Sequence, residues 1–207
     1  MSFDPKSLKR DLDRLSRTHR VVFAAACCER LLPNYSAFAQ QVRWGNPETL
    51  RAALDYIWDT VENGGAVDRE EINRLIERCD AVIPDTADFD TSSVSAALDA
   101  GTAVVETLRS LLDGDSQRVV DVASFCRDTV DMYIQDRDHL DYNNDPLFET
   151  KIAQDPLMKR ELARQSAILL ELATHPVLDR SLLRRLREES ADGGRSNIGR
   201  STPDPFS

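Results

Sequence analysis

The chain has 207 residues, 41% of them hydrophobic, enough for a domain that buries roughly 70% of its unfolded surface without disulfide staples. The formal net charge of −10 is unevenly spread: residues 80–145 carry 4 basic and 15 acidic groups, against 12 and 12 before them and 10 and 9 after. Such a distribution offers no continuous basic face and argues against a nucleic-acid groove.

From the N-terminus, Asp4-Pro5 supplies a cap and a first-turn proline for a helix carrying Leu8, Leu12 and Leu15. The start of the chain is charged and lacks the apolar core of a secretory signal. The uncharged run Val21–Cys28 is eight residues long, far below the roughly 20 that span a bilayer. A cytoplasmic protein without membrane segments is expected. That run belongs to a helix starting near Thr18 or His19 and reaching Pro33, where the ring predicts a kink or a restart. Asn46-Pro47-Glu48 opens the next helix, with Leu50, Leu54, Ile57 and Trp58 on one face, and Asn63-Gly64-Gly65 ends it. Asp68 and Glu71, at capping-box spacing, open another through Cys79.

After the loop DAVIPDTADFD, a helix from about Thr91 to Asp113 is apolar around most of its circumference and should be central. A further helix spans about Ser116 to Asp138 before DYNNDP breaks the pattern. Asp155-Pro156 and His175-Pro176 each predict a helix start, and from Ala191 the sequence GGRSNIGRSTPDPFS reads as a flexible tail. The expected fold is all-α: a compact multi-helix bundle of about seven to nine helices over residues 1–190, packed around the apolar helices near 20–32 and 91–113, with a tail from 191 to 207.

No phosphate-binding loop, dinucleotide fingerprint, zinc-protease motif, C-x-x-C pair or nucleophile elbow is present. No cofactor or metal is therefore expected. Asp88 and Asp90 suggest a calcium loop, but Ser93 occupies the glycine position and Asp99 the position of the closing glutamate. They are better read as stabilising the start of the next helix. Asp121, Asp128, Asp131, Gln135 and Asp138 form an acidic row expected to be solvated or paired with arginine, with Arg180, Arg184, Arg185 and Arg187 as possible partners. Cys27 and Cys28, adjacent on a helix, read as buried fillers. Glu29 falls on their apolar stripe and needs a partner, expected to be Arg30 or an arginine from another helix.

Cys28-Glu29-Arg30-Leu31-Leu32-Pro33-Asn34-Tyr35, Ile83-Pro84 with Asp88-Phe89-Asp90, Ala97-Leu98-Asp99-Ala100 and Ser196-Asn197-Ile198-Gly199 together resemble the bacterial YjaG-like family, a domain of unknown function. The resemblance covers nearly the whole chain and implies an all-helical cytoplasmic protein, with no activity to carry over. Glu29, Arg30, Asn34, Tyr35, Asp88, Asp90 and Asp99 are the candidate ligand- or partner-facing residues. A non-catalytic interaction or regulatory role, through a protein partner or self-association, is the favoured expectation. The alternative is a small-molecule or divalent-metal-dependent enzyme using Glu29/Arg30 and Asp88/Asp90/Asp99.

Overall fold

The computed structural model describes residues 3–64 and 67–201. Among the described residues the secondary structure is helical, in the order α1 (Pro5–Asp13), α2 (Arg17–Val42), α3 (Pro47–Asn63), α4 (Arg69–Asp80), α5 (Ser93–Asp113), α6 (Ser116–Asp138), α7 (Phe148–Gln154), α8 (Pro156–Thr174) and α9 (Arg180–Ala191). Single 3₁₀ turns lie at Thr86–Asp88 and Asp192–Gly194. No described helix is long and apolar enough to cross a membrane.

The caps follow from side-chain chemistry. Asp4, Asn46, Asp115 and Asp155 each accept a hydrogen bond from a free first-turn N–H, and Pro5, Pro47 and Pro156 occupy first-turn positions where no amide hydrogen is needed. Asp68 accepts from the N–H groups of both Glu70 and Glu71. At the other end, Gly64 and Gly114 take left-handed conformations that close α3 and α5.

Helix α2 is the axis of the molecule. Val21 through Tyr35 is buried without interruption, and α2 packs against α3, α5, α6, α8 and α9, with α5 as its largest neighbour. Such all-round burial explains why the segment is apolar on every side. The two helices expected to be central are central.

Several local expectations differ from the fold. Helix α2 runs through Pro33 to Val42 without a break. Pro33 removes one hydrogen bond to the Glu29 carbonyl, a loss on the order of 3 kcal/mol, and burial of α2 on both sides of the proline offsets it. The last helix starts at Arg180, capped by Asp179, rather than at His175-Pro176. A short helix, α7, occupies Phe148–Gln154, where Phe148 and Ile152 pack on Val130, Ile134 and Met158 in a second apolar cluster.

The segment after α9 also differs from the expected flexible tail. Ser196, Asn197 and Ile198 are buried, and Ile198 joins the second apolar cluster. Asn197 holds the segment through four hydrogen bonds: its N–H to the Arg30 carbonyl (3.0 Å), its Nδ2 to the Cys126 carbonyl (2.9 Å), its Oδ1 from Asn34 Nδ2 (3.0 Å) and its carbonyl from Arg160 (2.9 Å). A composition poor in apolar residues misleads here because one amide and one isoleucine do the anchoring. Residues 202–207 of the expected tail lie outside the described residues.

Candidate functional site

The arginine and carboxylate that neighbour each other in sequence face different partners. Arg30 Nε and Nη2 donate to Glu161 Oε2 and Oε1 of α8 at 3.1 and 2.8 Å, and Nη1 donates to the Ala26 carbonyl at 2.8 Å. Arg30 is 0% and Glu161 1% exposed. Burial alone would push the Glu161 carboxyl up, but the Arg30 guanidinium and the Gln165 amide hold it below its ordinary value. Arg30 is correspondingly held above its own. This pair is enclosed in the core and meets no solvent.

Glu29, 4% exposed, turns toward α3 and α9. Its oxygens accept from Arg51 Nη1 and Nη2 at 2.7 and 2.9 Å and from the Trp58 indole N–H at 2.9 Å, and Arg187 Nε lies 3.4 Å away. Arg51 and Arg187 also pair with Asp55. The expectation of a buried Glu29 paired with an arginine from another helix holds. A groove of about 270 Å³ opens beside it, lined by Leu32, Pro33, Ser36, Pro47 and Arg51. Both carboxylate oxygens are already occupied on the protein side.

Asn34 donates to Asn197, leaving its own Oδ1 buried without a partner. Tyr35 donates to the Val82 carbonyl at 2.6 Å and accepts the Asn46 N–H at 3.1 Å, tying α2 to the segments that follow α2 and α4. Cys27, Cys28, Cys79 and Cys126 are all buried free thiols, Cys27 accepting from Arg30 Nη2 at 3.4 Å and Cys28 lying 3.3 Å from Thr107 Oγ1. Burial pushes the thiols of Cys28 and Cys126 well up, and that of Cys79 to about 12. The reading of Cys27 and Cys28 as core is upheld by their complete burial.

Asp88 and Asp90 are exposed and do not cap α5. The N–H of Ser93 is taken by Thr91 Oγ1 instead, and the Asp85 carboxylate caps the 3₁₀ turn. The acidic row of α6 is satisfied locally. Arg127 pairs with Asp128 and Asp131 at 2.5 and 2.7 Å, and Arg137 pairs with Asp138 at 2.6 Å and with Asp155 at 2.7 Å. The arginines of α9 go elsewhere: Arg187 to Glu29 and Asp55, Arg185 to Glu171 and Glu189, Arg180 to Asn63. They do not meet that row, because α9 packs on α2.

Asp99 stands apart. It borders a cleft of about 310 Å³ between α5, α6 and the segment after α9, together with Thr129, Met132, Tyr133, Ile198 and Arg200. Its Oδ2 accepts from Thr129 Oγ1 at 2.7 Å, and it forms no ion pair among the described residues. Burial pushes its carboxyl up to about 6, only partly opposed by the Thr129 hydroxyl and reinforced by the negative charge of Asp128. Glu29, Arg30, Asp88 and Asp90 do not line this cleft. The sequence candidates thus resolve into Glu29 and Arg30 in two buried ion pairs, Asn34 and Tyr35 buried in structural hydrogen bonds, two exposed loop carboxylates and one carboxylate beside a cleft. Residues that sequence reasoning missed are Glu161, Thr129, Asn197 and Arg200. Glu161 and Gln165 had a signal, since they share the inward spacing of Met158 and Leu162.

The chain can be set beside known proteins on this geometry. The profile of a family described as "Protein of unknown function (DUF416)" matches residues 7–201. The uncharacterized protein YjaG of Escherichia coli K12 is 32% identical over 189 residues, covering 91% of this chain and 93% of that protein. YjaG of Salmonella typhimurium is 29% identical over the same coverage. A crystal structure of a DUF416 family protein from Shewanella baltica OS155 superposes with a TM-score of 0.85 at 26% identity, covering 93% of this chain and 97% of that one. With the profile spanning almost every described residue and the helical fold shared, the chain belongs to the DUF416 family.

Proposed function

We propose that this protein works by binding rather than by catalysis, as a cytoplasmic interaction or regulatory protein. One observation supports this reading above the others. Glu29 and Arg30, two of the charged groups that would serve an enzyme, are engaged by the chain itself: Glu29 by Arg51, Arg187 and Trp58, and Arg30 by Glu161. A general acid or base must reach a substrate proton, and neither pair is arranged to do so without being taken apart. Asp99, by contrast, borders an open cleft with a carboxylate oxygen to spare, a geometry suited to recognition. Four buried free thiols fit a reducing compartment.

Immobilised wild-type chain and an Asp99→Asn variant, each exposed to lysate of the native host and analysed by mass spectrometry, test the reading. A stoichiometric partner retained by the wild type and diminished by Asp99→Asn supports it. Turnover of a metabolite by the purified chain, abolished by Glu29→Gln at an unchanged melting temperature, contradicts it.

A further inference from the structure

Buried charges in this protein are paired with a neighbour of opposite sign, as Glu29, Asp131, Asp155 and Glu161 illustrate. The cleft beside Asp99 breaks that pattern. Asp99 on α5 and Arg200 on the C-terminal segment line the same cavity, yet they form no ion pair with each other or with any other described residue. Two opposite charges that line one cleft without pairing leave room for a molecule carrying both signs to bridge them.

The carboxylate of Asp99 and the backbone of Arg200 are held in place. Thr129, almost wholly buried, fixes Asp99 Oδ2 by its hydroxyl and leaves Oδ1 for a ligand. The backbone of Arg200 belongs to a closed turn at the cleft: Ser196 N–H donates to the Arg200 carbonyl at 2.7 Å, Arg200 N–H donates to Ser196 Oγ at 3.0 Å, and Gly199 N–H donates to the Ser196 carbonyl at 3.0 Å. Asn197 and Ile198 anchor that turn to the core. Between the charges the wall is partly apolar, with Met132 half exposed and Ile198 at its base. A volume of about 310 Å³ lies at the small end of ligand pockets, which suits a metabolite of amino-acid size.

We propose that this cleft binds a small zwitterion, an α-amino acid with an apolar side chain, whose ammonium group meets Asp99 and whose carboxylate meets Arg200. The proposal rests on the binding reading above and names its ligand class. Ammonium recognition requires Asp99 to be ionised. Asp128 of α6 opposes its ionisation, and the other charged groups lining the cleft are Asp136 of α6 and Arg200. With its carboxyl at about 6, ligand affinity should rise about tenfold from about pH 5 to about pH 7.5 and level off above that.

The experiment is calorimetric titration of the full chain with L-leucine, with 3-methylbutylamine, which lacks the carboxylate, and with 4-methylpentanoate, which lacks the ammonium group. Saturable binding of L-leucine is expected, weakened at least about tenfold in either truncated analogue and by a similar factor in Asp99→Asn and Arg200→Gln, in line with the loss of a charge-assisted contact. Equal binding of leucine and either analogue, an affinity independent of pH, or no saturable heat at millimolar leucine overturns the proposal. The analogue comparison uses wild-type protein, so it holds even where a variant misfolds. If leucine fails while the partner captured from lysate still depends on Asp99, the ligand class is wrong and the binding reading stands; if that partner is absent as well, both fall.

Discussion

Arg30 and Glu161, 131 positions apart in the chain, form a two-pronged ion pair with almost no solvent contact, and the backbone carbonyl of the same Arg30 receives the N–H of Asn197. One residue of the central helix thereby fastens both α8 and the C-terminal segment. Removing one partner strands the other charge in the core, so Arg30→Met and Glu161→Leu should each cost about 3–5 kcal/mol in denaturant unfolding. The double variant should cost well under their sum, with a coupling of about 2 kcal/mol or more. Additive losses would show that the two side chains do not pair in solution.

The same pair sets a pH window. Glu161 is held below its unfolded carboxyl value, so its contribution is fully present above the ordinary carboxylate range and is lost as pH falls through its lowered folded pKa. Wild-type stability should therefore fall toward acid pH more steeply than that of the Arg30→Met/Glu161→Leu double variant. Parallel acid profiles would remove the pair as the cause.

Ending the chain after Glu189 should lower stability markedly. It removes Ile198, whose burial contributes about 1.5–3 kcal/mol, and the hydrogen bonds of Asn197 to Arg30, Cys126 and Asn34. Asn197→Ala alone should cost about 2 kcal/mol, because it removes the bond to the Cys126 carbonyl and leaves the buried Asn34 amide without its acceptor. A truncated chain with an unchanged melting temperature would mean that the segment does not dock.

Helix α5 passes the loop after α4 at a point where only glycine fits. A Cβ on Gly101 would meet Ile83 Cγ1 at 2.6 Å. Gly101→Ala gains about 1 kcal/mol of helix propensity but overpacks the contact, and a net loss of about 1–2 kcal/mol is expected. Adding Ile83→Ala should relieve the clash and recover part of that loss. A stabilised single variant would refute the close approach.

The general architecture is legible in the sequence because it rests on local chemistry: caps at Asp4, Asn46, Asp68 and Asp155, and long apolar runs in α2 and α5. Glu29 could be expected to be buried and paired, since a carboxylate on an apolar stripe leaves few alternatives. Its partners Arg51 and Arg187 could not be chosen, because the approach of α3 and α9 to α2 is a tertiary event. Pro33 hid the continuity of α2, since local rules predict the lost hydrogen bond but not the burial that offsets it. The docking of residues 195–201 was hidden for the opposite reason: the segment looks unstructured on composition, and its order comes from Asn197 reaching acceptors contributed by α2 and α6. Asp99 stood in a motif-like stretch, but nothing in the sequence sets Thr129 and Arg200 beside it.

A Glu29 that serves the fold and an Asp99 that serves recognition would have opposite signatures in stability. Asp99 has a folded pKa raised to about 6, above its unfolded value, so its ionisation penalises the folded state increasingly from about pH 4 upward and fully above about pH 6. Groups retained for binding at the expense of stability gain stability when neutralised. The most direct measurement is urea unfolding of Glu29→Gln and Asp99→Asn beside the wild type at about pH 7.5. Glu29→Gln should lose about 1.5–3 kcal/mol through its weakened bonds to Arg51, Arg187 and Trp58, whereas Asp99→Asn should gain about 1 kcal/mol, a gain that disappears near pH 4. A neutral Glu29→Gln together with a destabilised Asp99→Asn would contradict the account.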